Sequence, residues 1–166
     1  AYPRGIRENG GQYTHSAVWF ALALLHSGRR EEGWQVLEML SPADRAINRE
    51  LAEVYKLEPY YMAADIYTNP AVPGRGGWSI YTGAASWYFR AVYEELLGLT
   101  ITGDSLSVTP RLPSVWNGAE LSAEINGTRL TLTFERGEEP GLFLNSQPVE
   151  QIPLDGGAYA IKVVFV

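Results

Sequence analysis

The chain has 166 residues, of which 46% are hydrophobic, and its formal net charge at pH 7 is −6. This composition excludes long-range disorder, and an acidic balance without a basic run disfavours nucleic acid as a partner. The sequence has no cysteine, which excludes disulfides and thiolate metal sites, and it contains no apolar stretch long enough for a membrane span.

The first hundred residues show apolar side chains at helical spacing. We predict helices over residues 14–28, 32–40, 42–54, 59–67 and 84–97. Gly28 and Gly98 are predicted to end the first and the last of these helices, and Ser41 followed by Pro42 is typical of a helix N-terminus.

After residue 100 the apolar period changes to two, which indicates strands. We predict them over residues 105–109, 120–125, 129–135, 141–144 and 159–166. The intervening turns at 126–127, 137–140 and 155–157 are rich in glycine and predict antiparallel hairpins. We therefore expect an α+β chain in sequence order, with a helical region over 1–100 and a small antiparallel β-sandwich domain over 101–166.

Two polar, glycine-rich motifs each precede a predicted helix. The first covers residues 7–15 and combines a cation, a carboxylate, amides and an imidazole; the second covers residues 74–83. Free N–H groups and the dipole at helix N-termini favour anions. The pair of motifs therefore predicts a shared pocket for an anionic or polyhydroxylated ligand. The high aromatic content, 12%, fits either sugar stacking or ordinary core packing.

Taken together, these motifs resemble those of the inverting disaccharide phosphorylases of glycoside hydrolase family 94, which include cellobiose and chitobiose phosphorylases. The similarity is strongest to the cyclic β-1,2-glucan synthase branch. It rests on Glu8-Asn9-Gly10-Gly11, Thr14-His15, Glu58-Pro59-Tyr60, Gly76-Gly77-Trp78, Tyr81-Thr82-Gly83, Ala85-Ser86-Trp87 and Leu97-Gly98-Leu99, followed by Pro110, Pro113 and Trp116.

The resemblance implies a fold in which a catalytic (α/α)6 barrel precedes a C-terminal β domain. Residues 1–100 are then the terminal helices of the barrel. Because the sequence begins directly before its richest polar motif, we expect it to be a fragment of a longer enzyme of the phosphorylase or glycosyltransferase class. The resemblance also implies that the catalytic general acid, an aspartate, lies upstream of these residues, so we expect the isolated chain to be inactive.

The resemblance further assigns roles to individual residues. It implies that His15, Thr82 and Gly83 bind phosphate. It implies that the substrate sugar is bound by Glu8, Arg7, Gln12, Trp78 and Tyr81. Each residue also has a structural alternative: a helix-start residue for His15, a helix-cap turn for Thr82 and Gly83, and loop or packing roles for the sugar-binding set. Glu58 and Asp65, expected on a helix, receive no catalytic role.

The resemblance implies no metal and no cofactor, with inorganic phosphate as the co-substrate. The expected partners are a β-glucan oligosaccharide, phosphate, and either the remainder of the parent enzyme or a second copy of the chain. We expect a cytoplasmic location without direct membrane insertion, with the parent enzyme attached to an inner-membrane synthase as an alternative. The functional alternatives are a non-catalytic carbohydrate-binding module, a structural domain, and a helical-barrel hydrolase, for which no convincing pair of carboxylates is found.

Overall fold

The computed structural model describes residues 2–166 as two compact units. Their bounds are Ala1–Val92 and Tyr93–Val166. The division lies ahead of the predicted change at residue 100, and the reason is local. The Arg111 main-chain N–H donates to the Leu96 carbonyl, and the Arg111 guanidinium lies 3.1 Å from the Glu95 carboxylate. These bonds hold the last helical turn within the strand-rich second unit.

Helices make up about half of the described first unit. They are α1 (Thr14–His26), α2 (Arg30–Leu40), α3 (Pro42–Arg45), α4 (Arg49–Tyr55) and α5 (Thr82–Arg90), and a π-helix continues α5 over Ala91–Leu96. Helix α1 packs against α2 and α5, and its side chains Val18, Ala21 and Leu25 are fully buried. Between residues 2 and 166, no helix has the length and apolar character that crossing a membrane requires.

The end of α1 confirms the predicted role of Gly28. This glycine adopts a left-handed conformation with φ of 80°. Its N–H donates to the Leu25 carbonyl, and the Arg29 N–H donates to the Leu24 carbonyl. These two bonds form a Schellman motif, which satisfies carbonyls that the helix itself leaves unpaired. The helix ends two residues earlier than predicted, at His26, because this motif occupies the residues that follow.

The helix predicted over residues 42–54 is broken into α3 and α4. Ser41 caps α3, since its Oγ accepts from the Asp44 N–H at 3.3 Å, and Pro42 occupies the first helical position as predicted. A second cap then starts a new helix, because the Asn48 Oδ1 accepts from the Leu51 N–H at 2.9 Å. Asparagine favours such a cap over a helix interior.

The helix predicted over residues 59–67 is wrong. Residues 56–64 are irregular and are followed by a short strand. This strand is β2 (Asp65–Ile66), and it lies between β1 (Gln12–Tyr13) and β3 (Gly76–Gly77) in a three-stranded antiparallel sheet. Hydrogen bonds across the sheet outweigh the local helix preference, since the Ala64 N–H donates to the Gly77 carbonyl and the Ala64 carbonyl accepts from the Thr14 N–H.

Two sheets form the described second unit. The first contains β4 (Leu99–Thr102), β5 (Ser105–Val108) and β10 (Ile152–Pro153), in the order β10-β5-β4. The second contains β6 (Gly118–Ile125), β7 (Thr128–Arg136), β8 (Gly141–Leu144), β9 (Gln147–Val149) and β11 (Ala158–Phe165), in the order β6-β7-β11-β8-β9. Alternate side chains of β7 and β11 are buried, as the period of two predicts.

The pairing within the larger sheet differs from the predicted hairpins at two of three turns. The Asn126-Gly127 turn joins the antiparallel neighbours β6 and β7, as predicted. In contrast, β11 lies between β7 and β8 and is parallel to β7. The turns at 137–140 and 155–157 therefore connect strands that are not neighbours. The β-sandwich over 101–166 and the barrel helices over 1–100 stay predictions.

Candidate functional site

The predicted phosphate-binding residues lie together in the first unit. His15 is the second residue of α1, and Gly83 is the second residue of α5. A β-carbon placed on Gly83 would lie 3.3 Å from the His15 Nδ1 atom, so the imidazole rests against the glycine. Thr82 precedes this contact and is exposed. The packing of α1 on α5 thus brings the two motifs together.

The start of α5 offers hydrogen-bond donors at this contact. Its N-cap residue is Tyr81, whose side chain makes no cap hydrogen bond. The first N–H groups of the helix therefore receive no side-chain acceptor there. Within residues 2–166, the buried Nε2 atom of His15 also has no hydrogen-bond partner. An imidazole nitrogen and helix N-terminal N–H groups are suited to an anion.

Aromatic side chains surround the His15 ring. Trp19, one helical turn further along α1, meets it edge-on with 4.8 Å between ring centroids. Tyr13 stacks on it at 6.1 Å and shares a 2.6 Å hydroxyl–hydroxyl hydrogen bond with Tyr81. This hydrogen bond raises the pKa of Tyr13 above its ordinary value. Sequence reasoning gave Tyr13 and Trp19 no site role, although the four-residue spacing of His15 and Trp19 predicts their contact.

The predicted sugar-binding residues Arg7 and Trp78 contact each other. The Arg7 guanidinium carbon lies 4.1 Å from the centre of the Trp78 ring, a cation–π geometry. Both residues have a left-handed backbone, with φ of 51° and 53°. Trp78 and Glu8 are exposed, and Gln12 lies in β1, half-buried. The Tyr81 hydroxyl is hydrogen-bonded to the Tyr13 hydroxyl.

Asp65 is the residue that sequence reasoning missed. It was expected on a helix without a role, whereas it lies in the central strand β2 and is 0% exposed. Its Oδ2 atom accepts from the Arg7 main-chain N–H at 3.0 Å. An acidic residue inside the apolar run from Met62 to Ile66 was the available signal, because such a residue is seldom fully buried without a partner.

Buried polar atoms without a hydrogen-bond partner are concentrated in these same segments. In the described part of the chain they are Arg7 Nη1, Gln12 Nε2, Thr14 Oγ1, His15 Nε2 and Asp65 Oδ1. Leaving such an atom unpaired costs about 1–3 kcal/mol. Most buried polar groups in proteins are paired. The candidate site therefore includes segments of the described chain in which polar atoms are buried at a cost in free energy.

Comparison with known proteins finds a family match that covers the whole first unit. Residues 1–98 match the family described as the Glycosyl hydrolase 94 superfamily, catalytic domain. The chain is 47% identical over 141 residues to the cyclic beta-(1,2)-glucan synthase NdvB of Rhizobium meliloti. These aligned residues make up 85% of the chain and 5% of that protein. It is 26% identical over 166 residues to a 1,2-beta-oligoglucan phosphorylase of Listeria innocua, with 92% and 15% covered.

A third relative is the N,N'-diacetylchitobiose phosphorylase of Vibrio proteolyticus, which is 26% identical over 155 residues, with 92% of the chain and 19% of that protein covered. The chain thus spans less than a fifth of the length of each of these three relatives. The family resemblance derived from the two motifs is confirmed. The chain belongs to the glycosyl hydrolase 94 superfamily, and its first 98 residues match the catalytic domain of that family.

Proposed function

We propose that this chain supplies the phosphate-binding and sugar-binding part of an inverting glycoside phosphorylase that acts on β-linked glucosides. The observation that carries the proposal is the contact between the His15 imidazole and Gly83 at the start of α5. There the Nδ1 edge of the imidazole lies against the start of α5, whose N-cap side chain makes no cap hydrogen bond. Phosphate is an anion that such donors bind well.

The chemistry of the proposal requires one catalytic carboxyl group. A phosphate oxygen forms a bond to the anomeric carbon while the glycosidic C–O bond breaks, and the departing oxygen receives a proton from a general acid. Phosphate replaces the water and the general base of an inverting hydrolase. His15, Thr82 and Gly83 hold the phosphate in this scheme. The general acid belongs to a part of the enzyme outside this chain.

The proposed substrate is a β-1,2-linked glucan. Two of the relatives are named for 1,2-linked β-glucans, and the one with 47% identity is a cyclic β-1,2-glucan synthase. The sugar would contact Glu8 and the Arg7–Trp78 pair, with Gln12 and Tyr81 at the neighbouring positions. A carboxylate accepts from two adjacent hydroxyls, and an aromatic face packs on a pyranose ring. These features support a trimming role within a cyclic β-1,2-glucan synthase.

The arrangement of the whole enzyme is part of the proposal. Residues 1–100 would contribute the last helices of an (α/α)6 barrel, and residues 101–166 a β-sandwich domain. Trp19 and Phe20 on α1 are more than half exposed, which supports a covering partner, either the remaining barrel or a second copy of the chain. The proposed location is the cytoplasm, as part of a synthase at the inner membrane.

The test uses the two histidines of the chain as matched probes. Inorganic phosphate is titrated into the labelled chain while the imidazole signals of His15 and His26 are followed by NMR. We expect phosphate to shift the His15 signals and leave those of His26 in place. His15→Gln should abolish phosphate binding, and His26→Gln should not. Equal responses of both histidines, or none, would contradict the proposal.

A second measurement addresses the missing general acid. The isolated chain is incubated with β-1,2-linked glucose oligosaccharides and phosphate, and glucose 1-phosphate is assayed. We expect no release, because His15 and Gly83 bind phosphate but donate no proton to the departing oxygen. Turnover that depends on His15 would show that the chain contains its own general acid, and the assignment of that role to another part of the enzyme would be wrong.

A further inference from the structure

Asp65 combines complete burial with an incompletely bonded carboxylate. Its Oδ2 atom accepts from the Arg7 main-chain N–H at 3.0 Å, while Oδ1 has no partner among residues 2–166. Burying a carboxylate costs free energy unless its oxygens are bonded. The cost of burying this carboxylate calls for a role at the adjoining loops.

Two glycines make room for this carboxylate. A β-carbon on Gly77 would lie 2.6 Å from Asp65 Oδ1, and one on Gly11 would lie 3.3 Å from Asp65 Oδ2. A side chain on Gly77 would displace the carboxylate and also the Tyr67 ring, whose Cε1 atom would lie 2.5 Å from the new β-carbon. Gly11 belongs to the first polar motif and Gly77 to the second. The carboxylate thus lies between the two motifs that form the candidate site.

The bond from Arg7 to Asp65 orders the turn that carries Glu8. Arg7 has φ of 51°, a left-handed conformation that is unfavourable for a side chain of this size. The N–H of Arg7 is held by Asp65, and its carbonyl accepts from the Gly11 N–H at 2.9 Å. With its main chain fixed on both sides, Arg7 places its guanidinium on the Trp78 ring.

We propose that Asp65 is a positioning residue for the sugar-binding part of the site. It fixes the left-handed turn at Arg7, and through that turn it orients Glu8 and the Arg7–Trp78 pair toward a β-linked oligosaccharide. It does not contact the phosphate held by His15 and Gly83. This assignment rests on the proposed function, because the oligosaccharide is the ligand named there.

The test compares Asp65→Ala and Asp65→Asn with Asp44→Ala, which removes an exposed carboxylate from α3 of the same unit. Amide hydrogen exchange at Arg7 and Gly11 is measured without ligand. Calorimetry then gives the affinities for a β-1,2-linked glucose trisaccharide and for inorganic phosphate. Asparagine keeps an oxygen acceptor for the Arg7 N–H, so Asp65→Asn serves as the rescue variant, and Gly77→Ala replaces Asp65→Ala if that variant does not fold.

We expect Asp65→Ala to lower exchange protection at Arg7 and Gly11 by about tenfold or more, because the turn then opens locally. Trisaccharide affinity should fall by about tenfold and phosphate affinity by less than about twofold, since the two subsites are separate. Asp65→Asn should retain both protection and trisaccharide affinity. Gly77→Ala, which keeps every charge but displaces the carboxylate together with the Tyr67 ring, should weaken trisaccharide binding as Asp65→Ala does.

Three results would overturn the assignment. Unchanged protection at Arg7 in Asp65→Ala would show that the carboxylate does not order the turn. Equal losses of trisaccharide and phosphate affinity would show a general structural effect. Failure of the unsubstituted chain and of Asp44→Ala to bind trisaccharide would refute the proposed sugar site itself. That failure is distinguishable, because the exchange data without ligand would still report whether Asp65 orders the turn.

Discussion

Two helical glycines of the first unit form a matched pair for the same substitution. Gly83 lies in α5 and Gly33 in α2. Alanine is the better helix residue by up to about 1 kcal/mol, so both variants share this gain. At Gly83 the new methyl group would lie 3.3 Å from His15 Nδ1, and the half-buried ring can shift by a few tenths of an ångström. At Gly33 the methyl group would lie 2.7 Å from the Cγ of Leu25, which is fully buried.

These contacts give opposite signs for stability. For Gly83→Ala we expect a gain of about 0.5 kcal/mol in the free energy of unfolding, because the first helical turn realises only part of the helix preference. That gain raises the Tm of a unit of this size by about 2–4 °C. For Gly33→Ala, overpacking costs about 1–3 kcal/mol and exceeds the helical gain, so the Tm should fall by about 5 °C.

Phosphate affinity should fall in Gly83→Ala, the more stable variant, and stay unchanged in Gly33→Ala. Displacing the His15 ring weakens one hydrogen bond to the bound anion. A hydrogen bond to a charged group is worth about 1.5–3 kcal/mol, so Gly83→Ala should lose about tenfold in affinity for phosphate. Gly33→Ala should bind phosphate as the unsubstituted chain does. Thermal unfolding by circular dichroism and phosphate titration by calorimetry measure both effects. The reasoning is refuted if Gly83→Ala binds phosphate normally or loses as much Tm as Gly33→Ala.

Three further predictions concern hydroxyl groups. In a double-mutant cycle on phosphate affinity, Tyr13→Phe and Tyr81→Phe should be strongly non-additive, because their 2.6 Å hydrogen bond joins the starts of α1 and α5. Burial raises the pKa of Tyr88 to about 12. The stability that the buried neutral Tyr88 contributes to the fold is therefore fully present below pH 10 and lost as the pH rises to about 12. In Tyr88→Phe, the free energy of unfolding should fall less steeply with pH between pH 10 and about 12. Hydrogen bonds from the Tyr159 hydroxyl and the Gly157 N–H lower the pKa of Asp155. The stability that the ionised Asp155 contributes to the fold is therefore present above pH 4 and lost as the pH falls further. Tyr159→Phe should raise that pKa in an NMR titration.

Short-range patterns account for the elements that were predicted correctly. Helix α1 has an apolar stripe on a continuous run and a glycine that ends it. The Asn126-Gly127 turn places Asn126 at φ of 49° and Gly127 at φ of 76°, as a two-residue hairpin requires. Strand β7 alternates buried and exposed side chains along most of its length. Each of these signals lies within about fifteen residues, so no tertiary information is needed to interpret it.

Long-range pairing accounts for the errors. Residues 59–67 carry apolar side chains at helical spacing, yet Tyr13 pairs with Asp65 from fifty-two positions away. The parallel pairing of β11 with β7 joins residues twenty-nine positions apart, such as Ala158 and Arg129. In the candidate site, the meeting of His15 with Gly83 followed from the family resemblance. The position of Asp65 did not follow from it, because that position depends on a sheet that no local pattern in residues 59–67 predicts.

Backbone strain occurs in both polar motifs, and in the first motif it coincides with unpaired polar atoms. Of the non-glycine residues with positive φ in the described chain, Asn126, Asn145 and Ser146 lie in hairpin turns and Lys56 ends α4. The others are Arg7, Trp78 and Ile80. Isoleucine is β-branched and especially unfavourable in this conformation. Strain of this kind persists only where the surrounding structure imposes it, and it collects at ligand sites. Because the first motif also contains the unpartnered atoms of Arg7 and His15, its geometry is better explained by a ligand than by the stability of the fold.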